Sequence, residues 1–551
     1  MTANIAIIGS GPTGIYTLKG LVSSERPLHI IIFEAELEPG KGMPYHPDIN
    51  DQTMLANIAS IELPPVIVTL SAWLHSQPDS ELERMSIVRP LINDREFYPR
   101  IILGEYFRAQ FLEVVQLAES RGHIIEVMAG CRVTDIKLEK NWIEIEAVSR
   151  QGDSNIYNVD HAVMATGHNW LETTEVTPGY FISPWPAPIL KKIHNVPVGI
   201  LGTSLSAIDA MMTVATGHGA FYRNVQGILE YEPFPNTESL TITLMSRKGV
   251  LPEADFYCPI PYEPTAICTG AAVAALIEKG PINLLNGVFD LFVKELYNSD
   301  PEYAAKIGIS LLTVETFAKA YFSEREGSDP FTWAVKNLAE AVENKRLGHT
   351  VNWRYAILRM HEVIAQAVPY FNEVDLGRFH KYFKTVFVDN YATVPHQSIE
   401  RILALRRAGK LEILRLGNDC QIDPATEAPG VTVTYEAASR AFPAFIDATG
   451  QAASSALNLP FPTLLSQGLI RKAKTPTHRL VITDEPDEVV ETGGIDLDLA
   501  FRPKFQDNLS NKLYCVAISF LLHKLPFVQG ITSANEIGGI VARAILEDVS
   551  V

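Results

Sequence analysis

Gly9, Gly11 and Gly14 stand in a GxGxxG spacing, within Gly9-Ser10-Gly11-Pro12-Thr13-Gly14, and an acid, Glu34, follows downstream. In such a run the first glycine makes a tight turn. The second lets backbone approach a pyrophosphate, and the third packs a helix closely on a strand. Free N–H groups at a helix start favour phosphate. An acid about 20 residues beyond the third glycine can accept hydrogen bonds from a ribose diol. The surrounding elements fit this chemistry. Ile5–Ile8 is a short apolar run of the kind that forms a buried strand, Ile15–Leu21 continues as a helix, and His29–Phe33 reads as a second strand ending at Glu34. The spacing predicts one strand–helix–strand unit binding a dinucleotide, without separating FAD from NAD.

A second constellation lies further along. Val198–Leu201 is apolar and leads into Gly202-Thr203-Ser204-Leu205-Ser206-Ala207, then a helical Ile208–Val214. Ser204 replaces the second glycine and Ala207 the third, so close approach survives and hydroxyls are added as donors. The next strand, Leu240–Met245, ends in Ser246-Arg247-Lys248-Gly249 rather than in an acid. An acid there would repel a ribose 2′-phosphate, whereas arginine and serine bind one. NADPH is therefore expected over NADH. The competing reading is a structural unit whose Arg247 and Lys248 form a solvated turn. Two such units would bring a nicotinamide to a flavin for hydride transfer.

Other motifs extend the pattern. Phe33-Glu34-Ala35 is followed by Gly40-Lys41-Gly42-Met43-Pro44-Tyr45 and by Leu55-Ala56-Asn57-Ile58-Ala59-Ser60. Tyr98-Pro99-Arg100 precedes Gly104-Glu105-Tyr106, and Val163-Met164-Ala165-Thr166-Gly167-His168 and Ile446-Asp447-Ala448-Thr449-Gly450 both carry an Ala-Thr-Gly turn. Together with Leu244–Pro252, these segments resemble the flavin-dependent N-hydroxylating monooxygenases of the ornithine and lysine hydroxylase type. The resemblance covers the N-terminal 250 residues and about the last 160, and the middle matches poorly. It implies an α/β fold with two Rossmann-like dinucleotide-binding domains, for FAD and NADPH, and a helical insertion.

The resemblance also implies site residues. Gly9 to Gly14, Glu34, Ala35, Gly42, Met43, Tyr45, Asn57 and Arg100 would lie on FAD, and the Val133 backbone on its adenine. Ala165, Thr166, Gly167, Thr449 and Gly450 would mark the chain crossings between nucleotide domains. Gly530 and Ile531 would begin a stretch along the flavin ring. Gly202, Thr203, Ser204, Ser206, Ser246, Arg247 and Lys248 would hold NADPH. No FxGxxxHxxxW is present, and His168, Asn169 and Trp170 lack its spacing. The ketone-oxidising flavin monooxygenases are thus a poorer match.

Composition narrows the classes further. The 551-residue chain has a net charge of −18 and five scattered cysteines without a CxxC pair. A nucleic-acid partner, a disulfide framework, a zinc finger and a dithiol reductase are all disfavoured. No apolar run reaches the ~18 residues of a membrane span, and the start, turning glycine-rich after a few apolar residues, is unlike a secretory signal. The expectation is a soluble cytoplasmic protein with a small-molecule substrate and O2 as partners, no membrane partner, and an open oligomeric state. Apolar spacing predicts helices over Gly270–Lys279, Leu284–Tyr297, Ile309–Ala320, Phe331–Leu347, Asn352–Val368 and Pro395–Ala408, with Phe371–Val388 continuing in aromatic-rich fashion. His380 and His396 have no spaced partner for a metal.

The expected FAD domain comprises 1–188 and 420–551, and the NADPH domain 189–264 and 386–419. A helical insertion, 265–385, would cap the substrate. The expected reaction is NADPH-driven hydroxylation of a small molecule at an amine nitrogen. A flavin reductase or dehydrogenase, and a non-catalytic FAD sensor, are the alternatives. No catalytic side chain and no metal ligand stand out.

Overall fold

The computed structural model describes residues 2–167, 175–425, 428–450, 454–476, 489–504, 512–523, 525–528 and 530–550. The chain forms two compact units. The first comprises Met1–Pro47, Ile58–Trp170 and Gln451–Val551, the second Asp48–Asn57 and Leu171–Gly450.

The first unit is built on a five-stranded parallel sheet in the order Leu513–Cys515, His161–Met164, Ala3–Ile8, Leu28–Glu34, Ile124–Ala129. Such strands are buried on both faces, so they read as continuous apolar runs rather than alternating ones. Ile5, Ala6 and Ile7 are accordingly fully buried. The helix Pro12–Leu21 makes the crossover from Ala3–Ile8 to Leu28–Glu34, and the helix Arg100–Ser120 precedes Ile124–Ala129. The terminal helix Ile531–Ser550 lies against Pro12–Leu21 at small residues. A Cβ on Gly538 would stand 2.7 Å from the Thr17 nitrogen, and one on Gly20 2.5 Å from the Ala542 Cβ. A three-stranded antiparallel sheet, Cys131–Leu138, Ile143–Ser149 and Ser154–Val159, shares a core with the parallel sheet through Ile136 and Ile145.

The second unit repeats the theme. Its six-stranded sheet runs Leu411–Arg415, Thr241–Ser246, Pro197–Leu201, Ala444–Asp447, Tyr180–Phe181, Glu175–Thr177, with only the last pair antiparallel. Ala444–Asp447 is hydrogen-bonded between Pro197–Leu201 and Tyr180–Phe181. The segments 171–188 and 420–450, expected with the first domain, are therefore held in the second unit. So is Asp48–Asn57, which is tied by Ala187 N to Ile49 O at 2.9 Å, by Arg401 Nη1 to Thr53 O at 2.7 Å, and by a Lys191–Asp51 ion pair.

Between Thr241–Ser246 and Leu411–Arg415 the chain is helical, with Leu284–Ser299, Val314–Glu326, Pro330–Leu347 and Asn352–Ala365 as its main helices. An aromatic core of Phe289, Phe292, Phe317, Phe383 and Phe387 joins several of them. The helix expected over Ile309–Ala320 is instead a 3-10 turn, Ile309–Leu311, followed by Val314–Glu326. Thr313 and Thr316 form a capping pair that starts the helix afresh. Phe371–Val388 breaks into Glu373–Arg378, a wide π turn at Phe379–Phe383, and Lys384–Tyr391.

Candidate functional site

The first glycine turn leaves Ala3–Ile8 where the sheet's connections diverge. The neighbour on one side is Leu28–Glu34, reached through a helix, and on the other His161–Met164. Ligands of open α/β sheets sit at such switch points, beyond the strands' carboxyl ends. Gly9, with φ +104°, could not be replaced easily, since a Cβ would fall 2.4 Å from the Ala165 carbonyl oxygen. A Cβ on Gly14 would fall 2.2 Å from the Gly9 oxygen. Gly11 is the extended N-cap of Pro12–Leu21 and supplies no capping side chain, and Pro12 takes the position whose N–H is dispensable. The amides of Thr13 and Gly14 thus begin a helix that no side chain caps, which is the arrangement that receives phosphate.

Glu34 ends its strand beside this turn. Its Oε2 accepts from the Ser10 nitrogen at 3.1 Å and the Ser10 hydroxyl at 2.6 Å, and its Oε1 accepts from the Glu36 nitrogen at 3.0 Å. The Ser10 oxygen in turn accepts from the Gly40 nitrogen at 2.8 Å. Ala35 follows, half-buried. At the other end of that short loop, Gly42, with φ +74°, lies against the turn, where a Cβ would meet Pro12 Cδ at 2.9 Å and Gly11 Cα at 3.0 Å.

Lys41, between them, has no site role assigned by its motif. Its side chain is 4% exposed, and its Nζ sits 2.5 Å from Glu38 Oε2 and 3.0 Å from Glu105 Oε1. Gly40, Lys41 and Gly42 therefore form a bridge from Ser10 to the helix Arg100–Ser120. Its signal, a lysine between two glycines, acquires meaning only when Glu105 folds beside it.

Arg100 is the first residue of that helix, after Pro99. Gly104, one turn on, lets the Tyr45 backbone seat on the helix, since a Cβ there would be 2.4 Å from the Tyr45 oxygen. Burial pushes the Tyr45 phenol up to about 12, and the Arg100 charge opposes that rise. The structure thus brings Arg100, Tyr45 and the Met43–Tyr45 turn together at a helix N-terminus. The Thr166 hydroxyl, in Ala165-Thr166-Gly167, is buried without a hydrogen-bond partner. A cradle closed to any Cβ, an uncapped helix start and this unpartnered hydroxyl fit a dinucleotide.

The remaining expected residues come from other parts of the chain. Val133 is half-buried beside a register shift in Cys131–Leu138 and packs on the core that holds Ile8 and Phe33. Gly530 accepts from the Ala534 nitrogen at 3.2 Å and Ile531 opens the terminal helix, Ile531–Ser550. Asn57 falls in the segment that belongs to the second unit, with its Oδ1 buried and unpartnered. His168, Asn169 and Trp170 lie outside the described residues.

The second turn has the same construction. Pro197–Leu201 stands between Thr241–Ser246 and Ala444–Asp447, again a switch point. Gly202, with φ +125°, would bring a Cβ 2.8 Å from the Ala448 carbonyl oxygen, as Gly9 does with Ala165. Ser204 is the extended N-cap of Leu205–His218 and its side chain caps nothing, while Ser206 follows in the first turn, half-buried. Ala207 is fully buried. Thr203 Oγ1 donates to Ser246 Oγ at 3.3 Å, joining the turn to the end of the outer strand. Ser246 also receives the Gly249 nitrogen at 3.1 Å. Arg247 is exposed there. Thr449 donates from its nitrogen and hydroxyl to Asp447 Oδ1, at 3.0 and 2.7 Å, and Gly450 has φ +92°.

Residues 6–169 match a family model described as FAD-NAD(P)-binding, and residues 269–391 match the YdhS-like middle domain. The protein YdhS of Escherichia coli (strain K12) is 44% identical over 546 residues, which span 99% of this chain and 98% of YdhS. This chain belongs to the YdhS family. Among solved structures, the ornithine N-hydroxylase of Kutzneria sp. 744 matches at a TM-score of 0.50 and 12% identity, with 100% of each chain covered. The ornithine hydroxylase of Pseudomonas aeruginosa matches at 0.51 and 11%, likewise with 100% of each chain covered. The YdhS-family chain shares their fold, as its motifs led one to expect. No helix among its described residues is long and apolar enough to cross a membrane.

Three of the thiols of this YdhS-family chain, Cys131, Cys268 and Cys515, are poor nucleophiles. Burial pushes Cys268 and Cys515 up to about 12 and raises Cys131. All five cysteines are unpaired with one another. A thiol that reduces disulfides needs the opposite environment, exposed and electropositive.

Proposed function

We propose that this YdhS-family protein binds FAD at the Gly9–Gly14 turn and NADPH at the Gly202–Ala207 turn, and hydroxylates a small molecule at an amine nitrogen. The observation that carries this reading is the duplicated construction. In each unit a glycine turn leaves the central strand at the switch point, and its glycine abuts the carbonyl of an Ala-Thr-Gly turn. A fold shared with two ornithine hydroxylases supports the choice of reaction.

The roles of the residues follow from their chemistry. The amides of Thr13 and Gly14 receive the FAD pyrophosphate. Glu34 exchanges one of its bonds to Ser10 for a ribose hydroxyl. Gly40, Lys41 and Gly42 keep the turn in place, and Arg100 adds positive charge beside Tyr45. Thr203, Ser206 and the amides at the start of Leu205–His218 receive the NADPH pyrophosphate, and Arg247 meets its 2′-phosphate. When bound, FAD would supply the redox chemistry, hydride acceptance and oxygen activation. Such chemistry asks the protein mainly to orient and to exclude water. The helical block 265–385 is the candidate substrate-selecting element.

The test is a screen of small amines and amino acids against the FAD-loaded protein, measuring NADPH use, oxygen uptake and N-hydroxy product together. Stoichiometric product with one amine supports the monooxygenase. NADPH oxidation that yields only peroxide with every amine tested, and that a diffusible electron acceptor accelerates, supports the flavin reductase instead.

A further inference from the structure

In sequence, Arg247 and Lys248 read as one basic pair at the nucleotide's ribose. The structure divides them. Arg247 is exposed, whereas Lys248 Nζ lies 3.4 Å from the centre of the Phe322 ring and 2.9 Å from Glu326 Oε1. Both partners stand on the last turns of Val314–Glu326, in the helical block. Burial lowers the Lys248 ammonium, and Glu326 works against that fall.

The clamp is not an isolated contact. Arg325, between Phe322 and Glu326 on the same turns, is buried and donates to the Leu251 oxygen at 2.6 Å. Its other nitrogen is held by Asp389 at 2.6 Å, which also accepts from Tyr321 at 2.8 Å. Two residues on, Glu253 accepts from Trp333 at 3.1 Å and pairs with buried Arg354. Ala254 N donates to Asn337 at 2.7 Å. The chain leaving Thr241–Ser246 is thus fastened to the helical block at 248, 251, 253 and 254, and Lys248 is fixed with it.

A cation held on an aromatic face and neutralised by a carboxylate has little left to offer a phosphate, and the carboxylate repels one. We propose that Glu326 is a specificity-determining residue that withholds Lys248 from the ribose 2′-phosphate and leaves its recognition to Arg247, with Ser246 and Thr203. The inference rests on the reading of the Gly202 turn as a nucleotide site. It gives the helical block a part in setting nucleotide preference.

The experiment is calorimetric titration of the FAD-loaded protein with adenosine 2′,5′-bisphosphate and with adenosine 5′-monophosphate, which differ only in the 2′-phosphate. Glu326→Gln should tighten the bisphosphate by about tenfold and leave the monophosphate unchanged, because one uncompensated charge is added near the phosphate. Glu326→Asp, which keeps the charge, should behave as wild type. The double variant Lys248→Met/Glu326→Gln, which removes both charges of the pair, should alter the preference by no more than about twofold, and Arg247→Ala should erase most of it. Circular dichroism establishes that each variant is folded.

Equal losses from the double variant Lys248→Met/Glu326→Gln and from Arg247→Ala would overturn the assignment. So would a Glu326→Gln protein that discriminates as wild type does. Wild-type protein that binds neither probe would overturn the nucleotide reading itself, an outcome distinct from the other two.

Discussion

The two glycine turns are alike where they touch their sheets and unlike where the second strand ends. Gly9 and Gly202 both press against the carbonyl of an alanine in an Ala-Thr-Gly turn. Beyond that, Leu28–Glu34 ends in an acid that binds Ser10, and Thr241–Ser246 ends in a serine that binds Thr203, with an exposed arginine after it. The shared part is backbone sterics, which any dinucleotide requires. The differing part is charge, which tells one ribose from another. A second difference lies in the flanking strands. His161 opens the strand beside Ala3–Ile8, and Ala444 opens the one beside Pro197–Leu201.

The largest effect should come from filling the shared part. Gly14→Val would force side-chain atoms onto the Gly9 carbonyl, which a Cβ already approaches to 2.2 Å. It should cost about 3 kcal/mol or more and abolish FAD retention, read as the flavin released per mole of purified protein. Retention at the wild-type level would break the comparison at its base.

The next effect distinguishes the flanking strands. Burial holds His161 down to about 4, with Asp548 opposing. A histidine depressed in the folded protein binds more protons when unfolded. Its neutral form therefore favours folding above the ordinary value near 6.5, and that benefit is lost as pH falls from there toward 4. The loss should approach 3 kcal/mol at the acid end. His161→Gln should flatten it. Urea midpoints of both proteins between pH 7 and pH 4 decide the matter, and identical pH slopes would exclude His161 as the cause.

Glu34→Ala sharpens the charge half of the comparison. It removes an acceptor of charge-assisted hydrogen bonds worth about 1.5–3 kcal/mol, so FAD should dissociate about ten- to a hundredfold more readily, as measured by flavin fluorescence on dilution. An unaltered dissociation constant would leave Glu34 as a partner of Ser10 only.

The smallest of the four effects is that of Lys41→Met. Removing the ammonium leaves Glu38 and Glu105 facing one another, and Glu38 is half-exposed, which limits the cost to about 1–2 kcal/mol. FAD affinity should fall while the NADP affinity of the Gly202 turn stays constant, and Lys41→Arg should recover part of the loss. Equal weakening at both turns would show that Lys41 serves general stability.

Both turns were legible in the sequence because their glycines answer local steric demands that only glycine meets. The strands and most helices were legible for a similar reason, through apolar runs and spacing. What escaped was set by tertiary partners. Nothing near Ala444–Asp447 says that it inserts beside Pro197–Leu201. The Asp48–Asn57 segment carries no mark of its ties to Ala187, Lys191 and Arg401. Lys41 needed Glu105, and Lys248 needed Phe322 and Glu326 from a helix some 75 residues later. Phe371–Val388 reads only as an aromatic-rich continuation, and the structure divides it by a π turn at Phe379–Phe383, from which Phe383 packs on Phe292.

The central claim is that the first turn holds the flavin and the second the nucleotide that reduces it. Anaerobic stopped-flow mixing of the FAD-loaded protein with NADPH, and separately with NADH, tests it by the loss of flavin absorbance. The account predicts complete bleaching by NADPH, with a roughly ten- to a hundredfold higher efficiency than NADH from charge-assisted bonds to the 2′-phosphate. It also predicts that Arg247→Ala removes most of that gap. A flavin that neither nucleotide bleaches, or that both reduce with equal efficiency in wild-type and Arg247→Ala protein alike, would contradict it.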